Sequence, residues 1–223
     1  MVARRSEFHS HTVLTDGEVV GIELIRVALS KGLRAIAVTD HVSLGNIDWV
    51  VRSEIAECEL ARSWEIVAIP GVEITHVPPE RLDEAVRRAR RAGARIVVVH
   101  GETLAEPVAP GTNRAAATNP EVDILAHPGL ITAEEADLAR ENDVFVEISG
   151  RRSHMVTNGH VARVGEATRA TMIVDSDAHD PRELLTQEEA VRVARGAGLG
   201  PPLVEMATER AQTALLKRLG VDR

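Results

Sequence analysis

The chain has 223 residues, of which 44% are hydrophobic, and a formal net charge of -8 at pH 7. This length suits one large α/β domain and is short for two, so we expect a single domain over residues 1–223. The acidic balance and an aromatic content of 2%, with no tyrosine, argue against a nucleic-acid partner, because such partners are bound by basic grooves and stacking rings.

The sequence also argues against membrane attachment and an internal disulfide. The longest apolar runs have the length of strands, far below the roughly 20 residues that cross a bilayer, and the N-terminus shows no apolar signal region. We therefore expect a cytoplasmic protein with no membrane partner. The single cysteine, Cys58, has no second cysteine to pair with and is expected to be a buried, inert thiol.

Seven short apolar segments are predicted to form β-strands. They lie at residues 7–8, 35–39, 66–72, 96–99, 124–126, 144–146 and 172–176. Their apolar residues do not alternate with polar ones, which is typical of strands buried on both faces of a parallel sheet.

Amphipathic helices are predicted between these strands and after the last one. They cover residues 22–31, 48–62, 79–92, 133–141 and 187–194, followed by a terminal helix at about 205–219 that packs Leu215, Leu216 and Leu219 inward. Three of the helices are followed by glycines that suit a left-handed helix end, namely Gly32, Gly93 and Gly198. The alternation of strand and helix implies right-handed crossovers, so seven strands predict an α/β fold, a (β/α)7 barrel of the TIM type. The irregular segment 101–119 is expected to be a long loop at the mouth of the barrel.

Most of the predicted strands are followed by, or end in, histidines and acids. These residues are His9, His11, Asp40, His41, Glu73, His100, His127, Glu147, Asp177 and His179. A parallel barrel gathers the carboxyl ends of its strands on one face, so these side chains are expected to meet at one mouth. The spacing of His9 and His11 places both imidazoles on the same side of an extended chain, as a pair of metal ligands requires. The pattern therefore predicts a metal site.

Six short motifs in this order resemble those of the PHP (polymerase and histidinol phosphatase) superfamily. They are His9-Ser10-His11-Thr12, Thr15-Asp16-Gly17, Thr39-Asp40-His41, Gly71-Val72-Glu73, His127-Pro128-Gly129 and Ser176-Asp177-Ala178-His179. The resemblance covers residues from about 7 to 195. It implies a distorted (β/α)7 barrel that carries two or three metal ions and, in many members, phosphoesterase activity.

The resemblance also implies a ligand set. One ion would be held by His9, His11, Glu73 and Asp177; a second by Glu73, His100 and His127, with Glu73 bridging the two; a third by Asp16, His41 and His179. Imidazole and carboxylate ligands suit Zn, Mn or Fe. Glu7 stands where members often have an aspartate, and it is expected to orient a ligand from outside the metal sphere. Asp40 and Asp175 are candidates for the same role or, equally, for capping the turn that follows each strand.

Several further residues are candidates for binding substrate or moving protons. Arg151 or Arg152 is predicted to clamp the oxygens of a phosphate, because a guanidinium offers a bidentate fork, and the alternative for either is a solvated loop charge. Arg114 and Asn158 are weaker candidates for the same role. His179, His154 or a water on the metal is expected to protonate the leaving group, and His76 is interpreted as an ordinary surface histidine.

The sequence thus predicts a metal-dependent hydrolase that cleaves a phosphate ester of a small phosphorylated metabolite through an activated water. Three alternatives remain: an amide or lactone hydrolase with the same metal barrel, a non-catalytic subunit of an RNA-processing complex, and a polymerase-associated nuclease. The complete ligand set and the negative charge argue against the RNA-processing subunit. The near absence of stacking rings argues against the nuclease. Substrate, metal identity and oligomeric state are left open.

Overall fold

The computed structural model describes residues 5–221, so residues 1–4 and 222–223 of the predicted domain lie outside the described part. Eight short strands form the sheet in this part of the chain. They are β1 (Ser6–Glu7), β2 (Ala35–Val38), β3 (His41–Val42), β4 (Val67–Ile74), β5 (Ile96–His100), β6 (Ile124–Ala126), β7 (Phe145–Ser149) and β8 (Met172–Asp175).

All strand pairs are parallel, and the order across the sheet is β1-β2-β4-β5-β6-β7-β8. The short β3 pairs with the end of β4, beyond the point where β2 stops, so β2 and β3 occupy one position. A parallel bridge between Ser10 and Ala178 links the two ends of the sheet. The sheet is therefore a nearly closed barrel with seven strand positions, which confirms the predicted (β/α)7 fold.

Helices surround this barrel. They are α1 (Gly21–Ser30), α2 (Ile47–Leu60), α3 (Leu82–Ala92), α4 (Thr112–Ala117), α5 (Ala133–Glu141), α6 (Asn158–Thr168), α7 (Gln187–Gly196), α8 (Pro201–Glu205) and α9 (Ala211–Arg218). A π-helical turn, Met206–Arg210, joins α8 to α9. The terminal helical segment therefore begins with α8 and not, as predicted, at about residue 205. The glycines Gly32, Gly93 and Gly198 have φ values of 81°, 111° and 93°, which confirms the predicted left-handed helix ends.

Two helices of the barrel are not predicted from the sequence. The segment 101–119, which was expected to be irregular, contains the six-residue helix α4. This helix begins directly after Gly111, which adopts a left-handed conformation. The other, α6, contains Gly159 and Gly165, which weaken the apolar period, yet it buries Val161 and Ala162. Short or glycine-containing helices give weak periodic signals because few of their positions face the core.

The inside of the barrel is closed at its amino-terminal end by α9. Leu215, Leu216 and Leu219 pack with the inward-facing strand residues Ile96 and Ile124, as predicted. A second and larger apolar layer lies between the sheet and the outer helices. Residues with polar side chains therefore gather at the opposite, carboxyl end of the strands.

Two smaller predictions concern the thiol and the membrane. Cys58 is a buried free cysteine, and its burial raises the pKa of the thiol above the usual value, which agrees with an inert role. Within residues 5–221, no helix is both long and apolar enough to cross a lipid bilayer.

Candidate metal centre

The predicted strand-end residues meet at the carboxyl end of the barrel. His9, His11 and Glu73 are fully buried below the floor of a cavity of about 310 Å³. The residues that line this cavity are Asp16, His41, Thr75, His76, His100, Glu106, His127, Arg151, His154, Asp177 and His179.

Unusual backbone conformations aim two of these side chains into the cavity. Asp177, just after β8, has φ of 52°, and His127, just after β6, has φ of 26°. Non-glycine residues rarely adopt positive φ, and such strain is concentrated at functional sites. Gly129 follows with φ of 58°, and a Cβ there would overlap the carbonyl oxygen of Glu102, so the loops after β5 and β6 are locked together.

The first group of ligand atoms consists of two imidazole nitrogens and two carboxylate oxygens. Nε2 of His9 lies 3.3 Å from Oε2 of Glu73 and 3.7 Å from Oδ1 of Asp177. Nε2 of His11 lies 3.6 Å and 3.2 Å from the same two oxygens. His9, His11 and Glu73 are thus close enough to hold one ion, and Asp177 faces both imidazoles.

The second group uses the other oxygens of the same two carboxylates. Nε2 of His127 lies 3.3 Å from Oε1 of Glu73 and 3.6 Å from Oδ2 of Asp177. His100, His127 and His154 each offer a nitrogen within 4.8 Å of the others. Glu73 therefore faces both groups, which is the arrangement of a bridging ligand. Asp177 faces both as well, whereas the family resemblance implied only the first.

The third group lies nearer to the solvent. Asp16 is about half exposed, and its oxygens lie 3.5 Å from Nε2 of His41 and 3.0 Å from Nε2 of His179. A ligand atom of His11 lies within 4.8 Å of the same set. The three predicted residues are thus brought together.

The ligand atoms of the buried groups fit metal ions better than they fit one another. Among the described residues, Nε2 of His9, Nε2 of His11 and both oxygens of Glu73 are buried without a hydrogen-bond partner. Such atoms are costly to bury unless something binds them. Their separations of 3.2–3.7 Å mostly exceed the hydrogen-bond range, but they suit two ligands of one ion, which lie about 3.4 Å apart when bonds of 2.1 Å point to the corners of a tetrahedron.

The electrostatics of the site point in the same direction. Burial raises the pKa of Glu73, but the neighbouring His9, His41 and His100 outweigh it, so the net pKa is lowered well below the usual value. Burial lowers the pKa of His9, and the carboxylates of Glu73 and Asp177 more than reverse this and raise it. Burial lowers the pKa of His11 to about 4. The buried carboxylates of Glu73 and Asp177 therefore favour positive charge at the place where these side chains converge, and a metal ion would supply it.

The imidazole of His9 is oriented by Glu147, a residue of the predicted cluster that has no place in the implied ligand set and that lies within β7. Nδ1 of His9 lies 2.7 Å from Oε1 of Glu147, and Oε2 of Glu147 accepts a hydrogen bond from the backbone N–H of His127. Glu7, which was expected to orient an imidazole, instead accepts hydrogen bonds from the backbone N–H groups of His9 and Ser176. The sequence could have indicated a role for Glu147, because it is a carboxylate within an otherwise mostly apolar strand.

The two other residues expected to lie outside the metal sphere, Asp40 and Asp175, accept hydrogen bonds from the backbone. Asp40 accepts hydrogen bonds from the backbone N–H and the hydroxyl of Thr12 and from the hydroxyl of Thr15, which fixes the turn before Asp16. Asp175 accepts a hydrogen bond from the backbone N–H of Phe8.

Of the four predicted substrate residues, the structure brings only Arg151 to the cavity. Arg151 contacts the carbonyl oxygen of Asp177 and Nδ1 of His179. Arg152 lines a neighbouring surface depression. The other two have structural partners: exposed Arg114 pairs with Glu134 at 2.9 Å, and buried Asn158 bonds both backbone groups of Ser149 at the end of β7.

Two histidines lie at the rim. His154 is buried beside the second group, its ring stacked on that of His127 with centroids 4.1 Å apart. His76 is exposed, as expected of a surface histidine, and it also lines the cavity, with its ring centroid 5.4 Å from that of His100. Glu106, which is not among the predicted site residues, faces both His76 and His100. Its position in an irregular loop gave no signal.

A parallel barrel with histidines and acids able to hold metal ions at its carboxyl end has the architecture of the metal-dependent barrel hydrolases. The chain is 43% identical over 217 residues to the uncharacterized protein MJ1295 of Methanocaldococcus jannaschii, covering 96% of this chain and 100% of that protein. It therefore belongs to the MJ1295 family. No protein-family profile matches it.

Two relatives are more distant. The probable phosphatase TTE1963 of Caldanaerobacter subterraneus subsp. tengcongensis is 27% identical over 226 residues, covering 88% of this chain and 84% of that protein. Ribonuclease P protein component 3 of Methanosarcina barkeri is 29% identical over 147 residues, covering 64% of this chain and 55% of that protein.

Solved structures share the barrel. A chain in the cryo-EM structure of archaeal ribonuclease P with mature tRNA has a TM-score of 0.68 and 16% identity, covering 96% of this chain and 89% of that chain. A two-domain protein from Bacteroides vulgatus that contains a predicted PHP-like metal-dependent phosphoesterase has a TM-score of 0.50 and 22% identity, covering 87% and 56%. At these identities the likeness shows the fold alone.

Proposed function

We propose that this protein is a PHP-type, metal-dependent phosphoesterase that acts, as a single domain, on a small phosphorylated metabolite. The observation that carries the proposal is the pair of ligand groups that share Glu73 and Asp177, with the guanidinium of Arg151 beside them. Two divalent ions in adjacent positions with a cation at the rim suit a phosphate group, whose charge is spread over several oxygens. The likeness to a probable phosphatase supports the same reaction class.

The ligand residues have distinct roles in this proposal. His9, His11, Glu73 and Asp177 would hold the first ion, and Glu73, His100 and His127 would hold the second. Asp16, His41 and His179 hold a third. Divalent ions such as Zn, Mn or Fe, when bound here, activate a water for attack at phosphorus and neutralise charge on the phosphoryl oxygens. Glu147 keeps the His9 ring in the orientation and tautomer that a ligand needs.

Arg151, His154 and His179 complete the site. Arg151 is partly exposed and can reach into the cavity, so its guanidinium binds a non-bridging oxygen of the substrate and stabilises charge that develops there. His179 and His154, the two predicted proton donors, both line the cavity where the leaving group departs. Arg152 has no role in this mechanism, because it faces away from the cavity.

A carbonyl substrate is the main alternative, because the same metals polarise an amide or lactone and a barrel does not fix the chemistry. A role as a ribonuclease P subunit has the support of one partial relative. The net charge of -8 argues against it, because RNA binding relies on cationic side chains.

The test is a substrate screen with purified protein reconstituted with Zn, Mn or Fe. Phosphorylated metabolites, a generic phosphate ester, amides, lactones and a structured RNA are assayed in parallel. We expect hydrolysis of phosphate esters that requires metal and is lost in His9→Ala, Glu73→Ala and His100→Ala. Turnover of carbonyl substrates alone, or full activity in any of the three variants, would contradict the proposal.

A further inference from the structure

The loop between β5 and α4 carries a carboxylate to the rim of the metal cavity. One oxygen of Glu106 lies 3.3 Å from Nε2 of His100 and 3.4 Å from Nε2 of His76, and the other lies 3.8 Å from Nε2 of His154. The Glu106 side chain is 40% exposed, whereas the Glu73 side chain is fully buried. The loop thus brings an accessible carboxylate next to the second ligand group.

The same loop orients His154 toward that group. Oγ1 of Thr103 lies 2.7 Å from Nδ1 of His154, so Nδ1 has a hydrogen-bond partner and Nε2 faces the cavity. Nε2 of His154 lies 3.7 Å from Oδ2 of Asp177, which also faces His127. An imidazole whose Nδ1 is held by a hydrogen bond while Nε2 is free has the form of a metal ligand.

The loop itself is anchored at both sides of Glu106. The backbone N–H of Thr103 donates to the carbonyl oxygen of Gly101, and the carboxylate of Glu102 accepts hydrogen bonds from the backbone N–H groups of Gly111 and Asn113. Oε1 of Glu102 therefore holds the loop. Glu106 contributes no such structural bond through its side chain among the described residues, which leaves its carboxylate available to the cavity.

We propose that the ion held by Glu73, His100 and His127 takes two further ligands, His154 and Glu106, and that an incoming oxyanion displaces Glu106. The separations of 3.3 and 3.8 Å suit ligands of a common ion. Glu106 is the exchangeable ligand because it is exposed and belongs to a loop. His76 receives it on displacement, because Nε2 of His76 already lies within 3.4 Å.

This inference rests on the proposed metal centre and not on the phosphoesterase reaction. In this arrangement His154 is a metal ligand and not the proton donor of the proposed mechanism. The arrangement also gives the loop between β5 and α4 a role. The carboxylate of Glu106 binds the ion when no substrate is present and is displaced when an oxyanion binds.

The test is a titration of metal-free protein with Zn²⁺ by calorimetry and with Co²⁺ by visible absorption. Wild type is compared with Glu106→Gln, His154→Gln and the control Glu166→Gln, which alters an exposed helical carboxylate far from the site. We expect one binding step to weaken about 10- to 100-fold in both site variants, with an altered Co²⁺ spectrum, while the other steps and the control match wild type. Glu106→Gln loaded with Zn²⁺ should also bind inorganic phosphate several-fold more tightly, because no carboxylate competes.

Each result bears on the proposal. Unchanged metal affinity and phosphate binding in Glu106→Gln would overturn this inference while leaving the metal centre intact. Wild type that binds no ion at all would overturn both. Glu106 lies in an exposed loop, so its variant decides the question even when His154→Gln does not fold.

Discussion

Glu147 holds His9 through a hydrogen bond of 2.7 Å between Oε1 and Nδ1. The second oxygen of Glu147 accepts a hydrogen bond from the backbone N–H of His127, so one carboxylate on β7 fixes ligands of both buried groups. Both side chains of this pair are fully buried, and water therefore cannot replace either partner. This pair sets the geometry of the centre from outside the metal sphere.

Replacing Glu147 with glutamine should weaken metal binding without removing a ligand. The amide lacks the negative charge that supports the His9 ring, and its NH2 group must face either Nδ1–H of His9 or the backbone N–H of His127, both of which are donors. Mutation of a residue that orients a metal ligand in this way typically weakens metal binding about 10- to 100-fold. Calorimetric titration with Zn²⁺ measures the loss, and Glu166→Gln serves as the control. Affinity equal to that of wild type would show that Glu147 does not position His9.

Metal removal should destabilise the fold. Both oxygens of Glu73 and Nε2 of His9 and of His11 are buried without hydrogen-bond partners, so the native state gains when an ion binds them. An ion at 100 times its dissociation constant stabilises a protein by about 2.7 kcal/mol. Differential scanning calorimetry should show a Tm that falls on chelation and recovers when Zn²⁺ or Mn²⁺ is restored. A Tm independent of chelator would count against the ligand groups.

Arg151→Ala should lose kcat/KM for phosphate esters by about 10² or more while its metal content stays unchanged. The guanidinium contributes where charge develops on the phosphoryl oxygens, and loss of such a donor typically costs this much. Arg152→Ala and Arg114→Ala are matched controls, because neither side chain lines the cavity, and both should keep wild-type kinetics. Equal losses in Arg151→Ala and Arg152→Ala would contradict the assignment.

Glu54 gives a prediction about pH and stability away from the ligands. It is fully buried on α2 and accepts hydrogen bonds from the backbone N–H groups of Asp40 and Gly71. Burial and the neighbouring carboxylate of Asp40 raise the pKa of Glu54 well above the usual value. A folded-state pKa above the unfolded one gives stability that is present at low pH and is lost as pH rises toward the folded pKa.

The stability of Glu54→Gln should therefore increase relative to that of wild type as pH rises. The difference in the free energy of unfolding between the two proteins should grow above about pH 5, by at most about 1.4 kcal/mol per pH unit. Urea denaturation of both proteins across this range measures it. A difference that does not change with pH would mean that Glu54 is ionised in the folded protein.

The barrel and the ligand groups could be predicted from the sequence because both leave strong local signals. Apolar strands without alternation specify a parallel sheet, and histidines at strand ends converge wherever such a sheet closes. His9, His100 and His127 each lie at a strand end or within two residues of one, so closure of the sheet brings their positions to one mouth.

The rest of the site depends on loop conformation and contacts between distant segments. Glu106 reaches the cavity only because Glu102 folds its loop back onto Gly111, and no periodicity encodes that contact. Arg151 and Arg152 are indistinguishable as neighbours in sequence, and the turn after β7 points only the first toward Asp177. No sequence pattern distinguishes the two arginines, because a turn sets side-chain direction residue by residue.

The most direct measurement is an anomalous difference map from crystals of the protein saturated with Zn²⁺ or Mn²⁺. We expect two peaks about 3.5 to 4 Å apart, one on each side of the Glu73 carboxylate, with His9 and His11 at one and His100 and His127 at the other. A map from saturated crystals with no peak within bonding distance of Glu73 would contradict the account.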